Sequence, residues 1–355
     1  MNSDRIQEIL DLMEEARLDY FLISDPQSIA YCTGYYNDPH ERMFVFMISK
    51  HGNHTLFMND LFYLDHDLDV NIVWHKDGQD AIQTIVDEMH FPGRIGIDKN
   101  WASHFLLDLM KKLPDAKYIN ASPFVDLVRM KKDLQEQVLM IESSKINDAV
   151  MEEIIPFIQE GVTEKQLAKK LDELFFNHHS TCYGAIVAFG KNAADPHHEN
   201  DDTLLRKGDC VLIDMGCVYK GYCSDMTRTF FYEGILEEEI KVYEIVKKAN
   251  EAAEAMIKPG VKLSDIDKCA RKVISDEGYG KYFTHRLGHF IGRDVHEYGD
   301  VSSVNEMEVE EGMIFSIEPG IYLEGNFGVR VEDLVMVTKD GCQVLNSFTK
   351  DIYII

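Results

Sequence analysis

Four acidic residues of this 355-residue chain stand where charge is costly. Asp214 lies in VLIDMG, Asp225 in GYCSDMTRT, Glu318 in IFSIEPG and Glu332 in GVRVEDLVMV, all apolar, strand-like settings. A buried carboxylate stays ionised only beside a cation or within a hydrogen-bond network. Gly216 and Gly221 bracket a turn, so residues 210–215 and 222–232 are expected to form a hairpin. Asp214 and Asp225 would then face each other on one side of the sheet. Glu318 and Glu332 fit a second hairpin, turning near Gly325 and Gly328. Two adjacent hairpins would gather four carboxylates, and such a cluster repels itself unless positive charge, most simply divalent ions, is present. Taken singly, an acid on a strand ordinarily faces solvent, and periodicity alone does not decide between the two readings.

Histidine supplies a fifth donor. The segment THRLGHFIGRDVHEYG carries His285, His289 and His296 in one glycine-bearing loop. One imidazole with four carboxylates is a hard, oxygen-rich set that favours Mn²⁺, with Co²⁺, Fe²⁺ or Zn²⁺ able to compete. Upstream, FGKNAADPHHE places His197 and His198 after Asp195-Pro196, which as local sequence is a turn with surface histidines.

The elements that must position these groups fall into two blocks, as the chain length also suggests. Over roughly the first 125 residues helix and strand signals alternate, an α/β pattern. Ile6, Leu10 and Met13 have helical spacing; Tyr20–Ser24, Met43–Ser49 and Arg94–Asp98 read as strands; a helix runs through Phe105–Lys112. The charged stretch from Leu127 to Glu142 reads as a helical connection, giving domains at 1–126 and 127–355. In the second block Thr163 and Gln166 form a capping-box pattern ahead of Leu167 and Leu171, and Ser264 and Asp267 resemble it. Strand signals cover Cys210–Met215, Tyr222–Tyr232, Met313–Ile317 and Val329–Thr338.

A net charge of −26 argues against a nucleic-acid partner, which requires clustered cations. No apolar run approaches the ~20 residues of a membrane span. The N-terminus MNSDRIQEIL lacks the apolar core of a signal peptide. Seven cysteines with no C-x-x-C pair fit reduced thiols, so a cytoplasmic location is expected.

In order, the motifs PHH, IDMGCVYKGYCSDMTRT, HRLGHFIG…VHE, SIEPGIY and GVRVED resemble the methionine aminopeptidase/prolidase superfamily. The resemblance implies a creatinase/prolidase-type N-terminal α/β domain followed by an α+β "pita-bread" metallopeptidase domain. The two-domain layout, and YCTGYYNDPHERMFVFMI within it, is similar to the Xaa-Pro branch, small Xaa-Pro dipeptidases in particular. By that resemblance two divalent ions are held: Asp214 chelates the first, Asp225 and Glu332 bridge, and His289 and Glu318 serve the second. Glu318 would carry the proton from water to the leaving nitrogen, and His296 would stabilise the developing charge. His197, His285 and His296 would contact substrate, and Arg330 would border the site. The N-terminal domain would support a homodimer and cover the active site, with Asp38 or His40 as candidates for that contact.

Three departures stand out. Phe290 occupies a position where the family often has glycine, and Asp195 precedes PHH where an uncharged residue is common. The stretch EYGDVSSVNEME after VHE has no arginine to hold a dipeptide carboxylate. The expected activity is Xaa-Pro dipeptidase, with aminopeptidase P, acting on longer peptides, as the alternative. A metal-free amidinohydrolase and a non-catalytic binding protein are the remote alternatives.

Overall fold

A computed structural model describes residues 1–90 and 92–355. The chain forms two compact units, Met1–Arg129 and Met130–Ile355.

In the first unit the elements run α1 (Ser3–Glu15), β1 (Tyr20–Ile23), α2 (Pro26–Thr33), β2 (Val45–Ser49), β3 (Thr55–Asn59), β4 (Asn71–His75), α3 (Ala81–Glu88), β5 (Arg94–Ile97), α4 (Ser103–Lys112), β6 (Lys117–Asn120) and α5 (Ser122–Met130). The sheet order is β4-β3-β2-β1-β5-β6. Phe21, Ile23, Phe46 and Ile48 pack with Ile6, Ile9 and Met13 of α1 on one face. Tyr20, Leu22, Val45 and Met47 pack with Ile82 and Ile85 of α3 and Leu109 of α4 on the other. Burial on both faces explains why β1 and β2 are unbroken apolar runs rather than alternating ones. The DPHE segment is a tight turn in which the Asp38 carboxylate accepts from the His40 N–H at 3.0 Å, with both side chains exposed.

The second unit opens with α6 (Leu134–Ile154). Asp133 accepts from the Glu136 N–H, and the Glu136 carboxylate accepts from the Asp133 N–H. This capping box starts a new helix and so divides the single helical stretch expected over 127–142. Then come α7 (Glu164–Asn177), β7 (Thr181–Cys182), β8 (Ile186–Phe189), β9 (Cys210–Met215), β10 (Cys217–Tyr219), β11 (Tyr222–Cys223) and β12 (Met226–Phe231). They are followed by α8 (Glu237–Met256), α9 (Leu263–Asp276), β13 (Gly288–His289), β14 (Asp300–Val301), β15 (Ile314–Ile317), β16 (Gly320–Leu323), β17 (Phe327–Arg330), β18 (Asp333–Val337) and β19 (Cys342–Val344). Thr163 and Gln166 cap α7 reciprocally, as their spacing predicts. The second box does not form: α9 already begins at Leu263, Ser264 donates to Glu306, and Asp267 pairs with Arg271.

Val150, Met151, Leu167 and Leu171 of α6 and α7 pack against Val187, Val211 and Ile213 of β8 and β9. Val242, Val246, Ile266 and Ala270 of α8 and α9 pack against Phe315, Ile321, Val329 and Val335. Each helix pair thus gives a strand hairpin a rigid backing, and the two hairpins carry the acids singled out above.

Candidate metal centre

Both hairpins bend; Asp225, Glu318 and Glu332 sit at the bends, and Asp214 lies just before one, within β9. β9 and β12 pair Asp214 with Thr227 and Met215 with Met226, while β10 and β11 pair Val218 with Cys223. The register is continuous through both ladders. Asp225 therefore stands opposite Gly216, not opposite Asp214 as expected, and shares a face with Asp214 diagonally. Gly216 explains the break: the Tyr183 hydroxyl and the Ser224 carbonyl occupy the space a Cβ would need. In the second hairpin Ile317 pairs with Asp333 and Gly320 with Arg330, so Glu318 and Glu332 oppose each other in the gap between two ladders. Its turn contains Gly325, at φ +74°, whereas Gly328 lies within β17, where a Cβ would collide with the Ala193 carbonyl.

Asp225, His289 and Glu332 present donor atoms within 4.8 Å of one another, and all three are buried. The His289 Nδ1–H donates to the Phe290 carbonyl at 3.2 Å, which turns Nε2 toward the acids. Nε2 lies 3.6 Å from Asp225 Oδ2 and 3.7 Å from Glu318 Oε1. These gaps are too long for hydrogen bonds, and near the ~3–3.6 Å between two donors each ~2.1 Å from a shared ion. Asp225 Oδ1 is buried without a hydrogen-bond partner. An orphaned buried carboxylate oxygen is costly, and a cation would satisfy it.

The electrostatics agree. Burial, then the charges of Asp214 and Glu318, pushes Asp225 well above the ordinary carboxylate range. Burial, then Asp225 and Glu318, does the same to Glu332. Burial raises Glu318 to about 7, against the opposing pull of Arg330. Burial, with His296 beside it, lowers His289 to about 3, so the imidazole is neutral as ligation demands. Burial and mutual repulsion thus oppose ionising these carboxylates together without added positive charge. The residues present therefore fit a metal centre.

Arg330 is a cation that the protein itself provides beside Asp214. It is buried and donates to Asp214 Oδ2 at 2.6 Å, to the Tyr322 hydroxyl at 3.0 Å and to Thr227 Oγ1 at 3.0 Å. Thr227 in turn donates to Glu332 Oε2 at 2.6 Å. The His285 Nδ1–H donates to the Arg286 carbonyl at 2.7 Å, and its Nε2 accepts from Tyr322 at 2.9 Å. Both ring nitrogens of His285 are thereby engaged, and burial, followed by Arg330, lowers it to about 4. His296 packs its ring against His289, centroids 4.2 Å apart. His197, His285, His296 and Arg330 all line one cavity of about 260 Å³ with the five candidate ligands.

Thr227, Tyr183 and Tyr322 were missed at the sequence level. Tyr322 and Thr227 lie inside motifs quoted for other residues, and Tyr183 has no local signature. Arg286 also carries no local signature: it lines the cavity and, among the described residues, its guanidinium has only a 3.9 Å approach to Asp300. A second group of potential donors, Glu164, His198 and Asp201, lies elsewhere. There Glu164 is saturated: Oε1 accepts from Phe189 N and Asn192, and Oε2 from His198 at 2.6 Å and Asp201 N. This is a clasp for the loop bearing His197, with no orphaned atom to offer an ion.

Bent hairpins that gather acids and a histidine in one cavity are the frame of a metallopeptidase, and the chain belongs to metallopeptidase family M24. The model of that family matches residues 138–339, and the creatinase/prolidase N-terminal domain matches residues 5–131. An uncharacterized peptidase of Staphylococcus aureus (strain bovine RF122 / ET3-1) is 34% identical over 98% of this chain and 99% of its own. The crystal structure of a prolidase from Thermococcus sibiricus superposes with a TM-score of 0.93 at 31% identity, covering 100% of this chain and 99% of that one. A dipeptidase from Pyrococcus horikoshii OT3 gives 0.92 at 34% identity, covering 99% and 100%.

Proposed function

We propose that the chain is an Xaa-Pro dipeptidase using two divalent ions, Mn²⁺ by preference. Asp214, Asp225, His289, Glu318 and Glu332 are the ligands in this reading. The observation that carries it is the convergence of Asp225, His289 and Glu332 around an orphaned carboxylate oxygen. When bound, the ions would supply Lewis-acid polarisation of the scissile carbonyl and make water acidic enough to ionise near neutral pH.

The protein's own groups do the rest. Glu318 Oε1 accepts from Ser316 at 3.2 Å, which leaves Oε2 to take a proton and pass it to the leaving nitrogen. The His296 ring packs on His289 and has no hydrogen-bond partner among the described residues, so it is available to the developing oxyanion. His197 lines the same cavity. His285 is held neutral and fully bonded, which suits a wall of the site, and Arg330 borders it by fixing Asp214. A proline nitrogen has no N–H, so the site need provide no acceptor for one.

Arg286 favours the dipeptidase over aminopeptidase P. It supplies at the cavity the cation missing after VHE, positioned to pair with the terminal carboxylate of a short substrate. The small cavity points the same way. Steady-state hydrolysis of Xaa-Pro dipeptides and tripeptides with Mn²⁺ tests both parts. The dipeptide is expected to be the better substrate, and chelation to abolish turnover. Faster tripeptide cleavage would transfer the protein to the aminopeptidase P reading, and full activity after exhaustive chelation would remove the metal mechanism. The reading extends to a cytoplasmic homodimer, with Asp38 or His40 reaching the neighbouring subunit's site; light scattering in solution tests the dimer.

A further inference from the structure

Next to the metal centre, two thiols stand opposite each other across a strand pair. Cys182 of β7 and Cys217 of β10 are Cα partners in an antiparallel ladder. Directly opposed residues point to the same face, and both side chains join one apolar cluster. The other edge of β10 shows which kind of pair this is. The Cys217 carbonyl accepts from Ser224 N at 2.9 Å, and the Cys217 N–H donates to Ser224 Oγ at 3.2 Å. Its amide and carbonyl therefore turn away from Cys182, and the 182/217 pair is of the non-hydrogen-bonded type. Such pairs hold their Cα atoms about 4.5 Å apart, within the ~4.4–6.8 Å that a disulfide spans. Both residues are free thiols in this structure.

We propose that Cys182 and Cys217 are a reversible cross-strand disulfide site whose oxidant is a low-molecular-weight disulfide, and that the cross-link clamps the strand leading to Tyr183. Cys182 is the more exposed of the two. Its thiolate attacks the oxidant, breaking that S–S bond and expelling one thiolate. The Cys217 sulfur then attacks the mixed disulfide and expels the second. The protein pair loses two electrons and two protons, and the oxidant leaves as two thiols. Burial raises the Cys182 thiol to about 12, so exchange is slow at neutral pH and the pair answers to a sustained redox poise.

The position gives the cross-link a consequence. Tyr183 follows Cys182, lines the cavity, and donates to the Ser224 carbonyl at 2.7 Å. Gly216 precedes Cys217, and Tyr183 and Ser224 fill the space beside it. A bond one residue from each fixes the spacing across which Tyr183 reaches Ser224.

The test uses the full-length, metal-loaded protein incubated with oxidised glutathione, then alkylated and mapped by mass spectrometry. The expected result is the loss of two of the seven free thiols, a mass lower by two hydrogens, and a linked peptide joining Cys182 to Cys217, all reversed by dithiothreitol. Seven alkylated thiols, a link between other cysteines, or glutathione left unresolved on Cys182 would overturn the site. Wild-type mapping stands by itself; Cys217→Ser, where it folds, is expected to trap the glutathione adduct at Cys182. The clamp rests on the proposed peptidase reading and is measured separately. Oxidation is expected to change kcat/KM for an Xaa-Pro dipeptide by about twofold or more, reversibly, and not in Cys182→Ser. An unchanged rate in cross-linked protein would remove the clamp. An inactive reduced enzyme would instead fault the peptidase reading and leave the mapping result in force.

Discussion

Replacing Thr227 with valine removes one hydroxyl and almost no volume. Thr227 is fully buried on β12, opposite Asp214, and its Oγ1 donates to Glu332 Oε2 at 2.6 Å while accepting from Arg330 Nε at 3.0 Å. Arg330 retains Asp214 and Tyr322, so the loss falls mainly on Glu332. A hydrogen bond to a charged group contributes ~1.5–3 kcal/mol. If Glu332 is a ligand, losing the bond that orients it should weaken the ion by ~10- to 100-fold. Competition between Thr227→Val and a chromogenic chelator for Mn²⁺ measures this directly. Thr229→Val is the control. It lies on the same strand, but among the described residues its hydroxyl bonds only the Arg330 backbone, so it should cost stability and leave Mn²⁺ affinity in place. A folded Thr227→Val protein whose Mn²⁺ affinity lies within about threefold of wild type would refute the assignment of Glu332 and the coupling through Thr227.

Other outcomes follow from the same geometry. Glu318→Gln should keep its fold and lose ~10²- to 10⁴-fold in kcat, read by steady-state kinetics. In the metal-free protein the same variant reports a pH effect. Glu318 is raised to about 7, so its contribution is present below the unfolded carboxyl value and fades as pH rises through 7; urea midpoints of the variant should gain on wild type between about pH 5 and 8. His198→Gln loosens the clasp on Glu164, and a double-mutant cycle with His197→Ala should show its effect on kcat/KM largely vanishing when His197 is absent; additive effects would mean the clasp acts elsewhere. Arg286→Ala should raise KM for an Xaa-Pro dipeptide more than for a tripeptide, and equal changes would detach Arg286 from the substrate carboxylate.

Some of this was written in local patterns. The apolar runs of β1 and β2, the capping box at Thr163 and Gln166, and the strand signals around Asp214 and Glu318 each rest on a few neighbouring residues, and the structure has them. Two expected strands, Tyr222–Tyr232 and Val329–Thr338, look continuous in the sequence because β-propensity does not register a bend. The breaks at Ser224–Asp225 and Val331–Glu332 come from crowding and bonding by distant segments. Tyr183 fills the space beside Gly216, and Glu332 N bonds the Thr227 carbonyl. The capping box read at Ser264 failed for a similar reason, since Glu306 and Arg271 claim the two side chains.

The kinds of donor in this site were determined by the sequence alone. Side-chain type decides which ions a group can hold, and four acids in apolar strands already imply a compensating charge. Tertiary structure alone decided which donors meet and who holds them. Arg330 bonds Asp214 across 116 residues, Thr227 bonds Glu332 across 105, and Asp225 reaches the cluster only because its hairpin bends where it stands opposite Gly216. Contacts of that separation depend on how two hairpins pack, and local periodicity carries no information about packing.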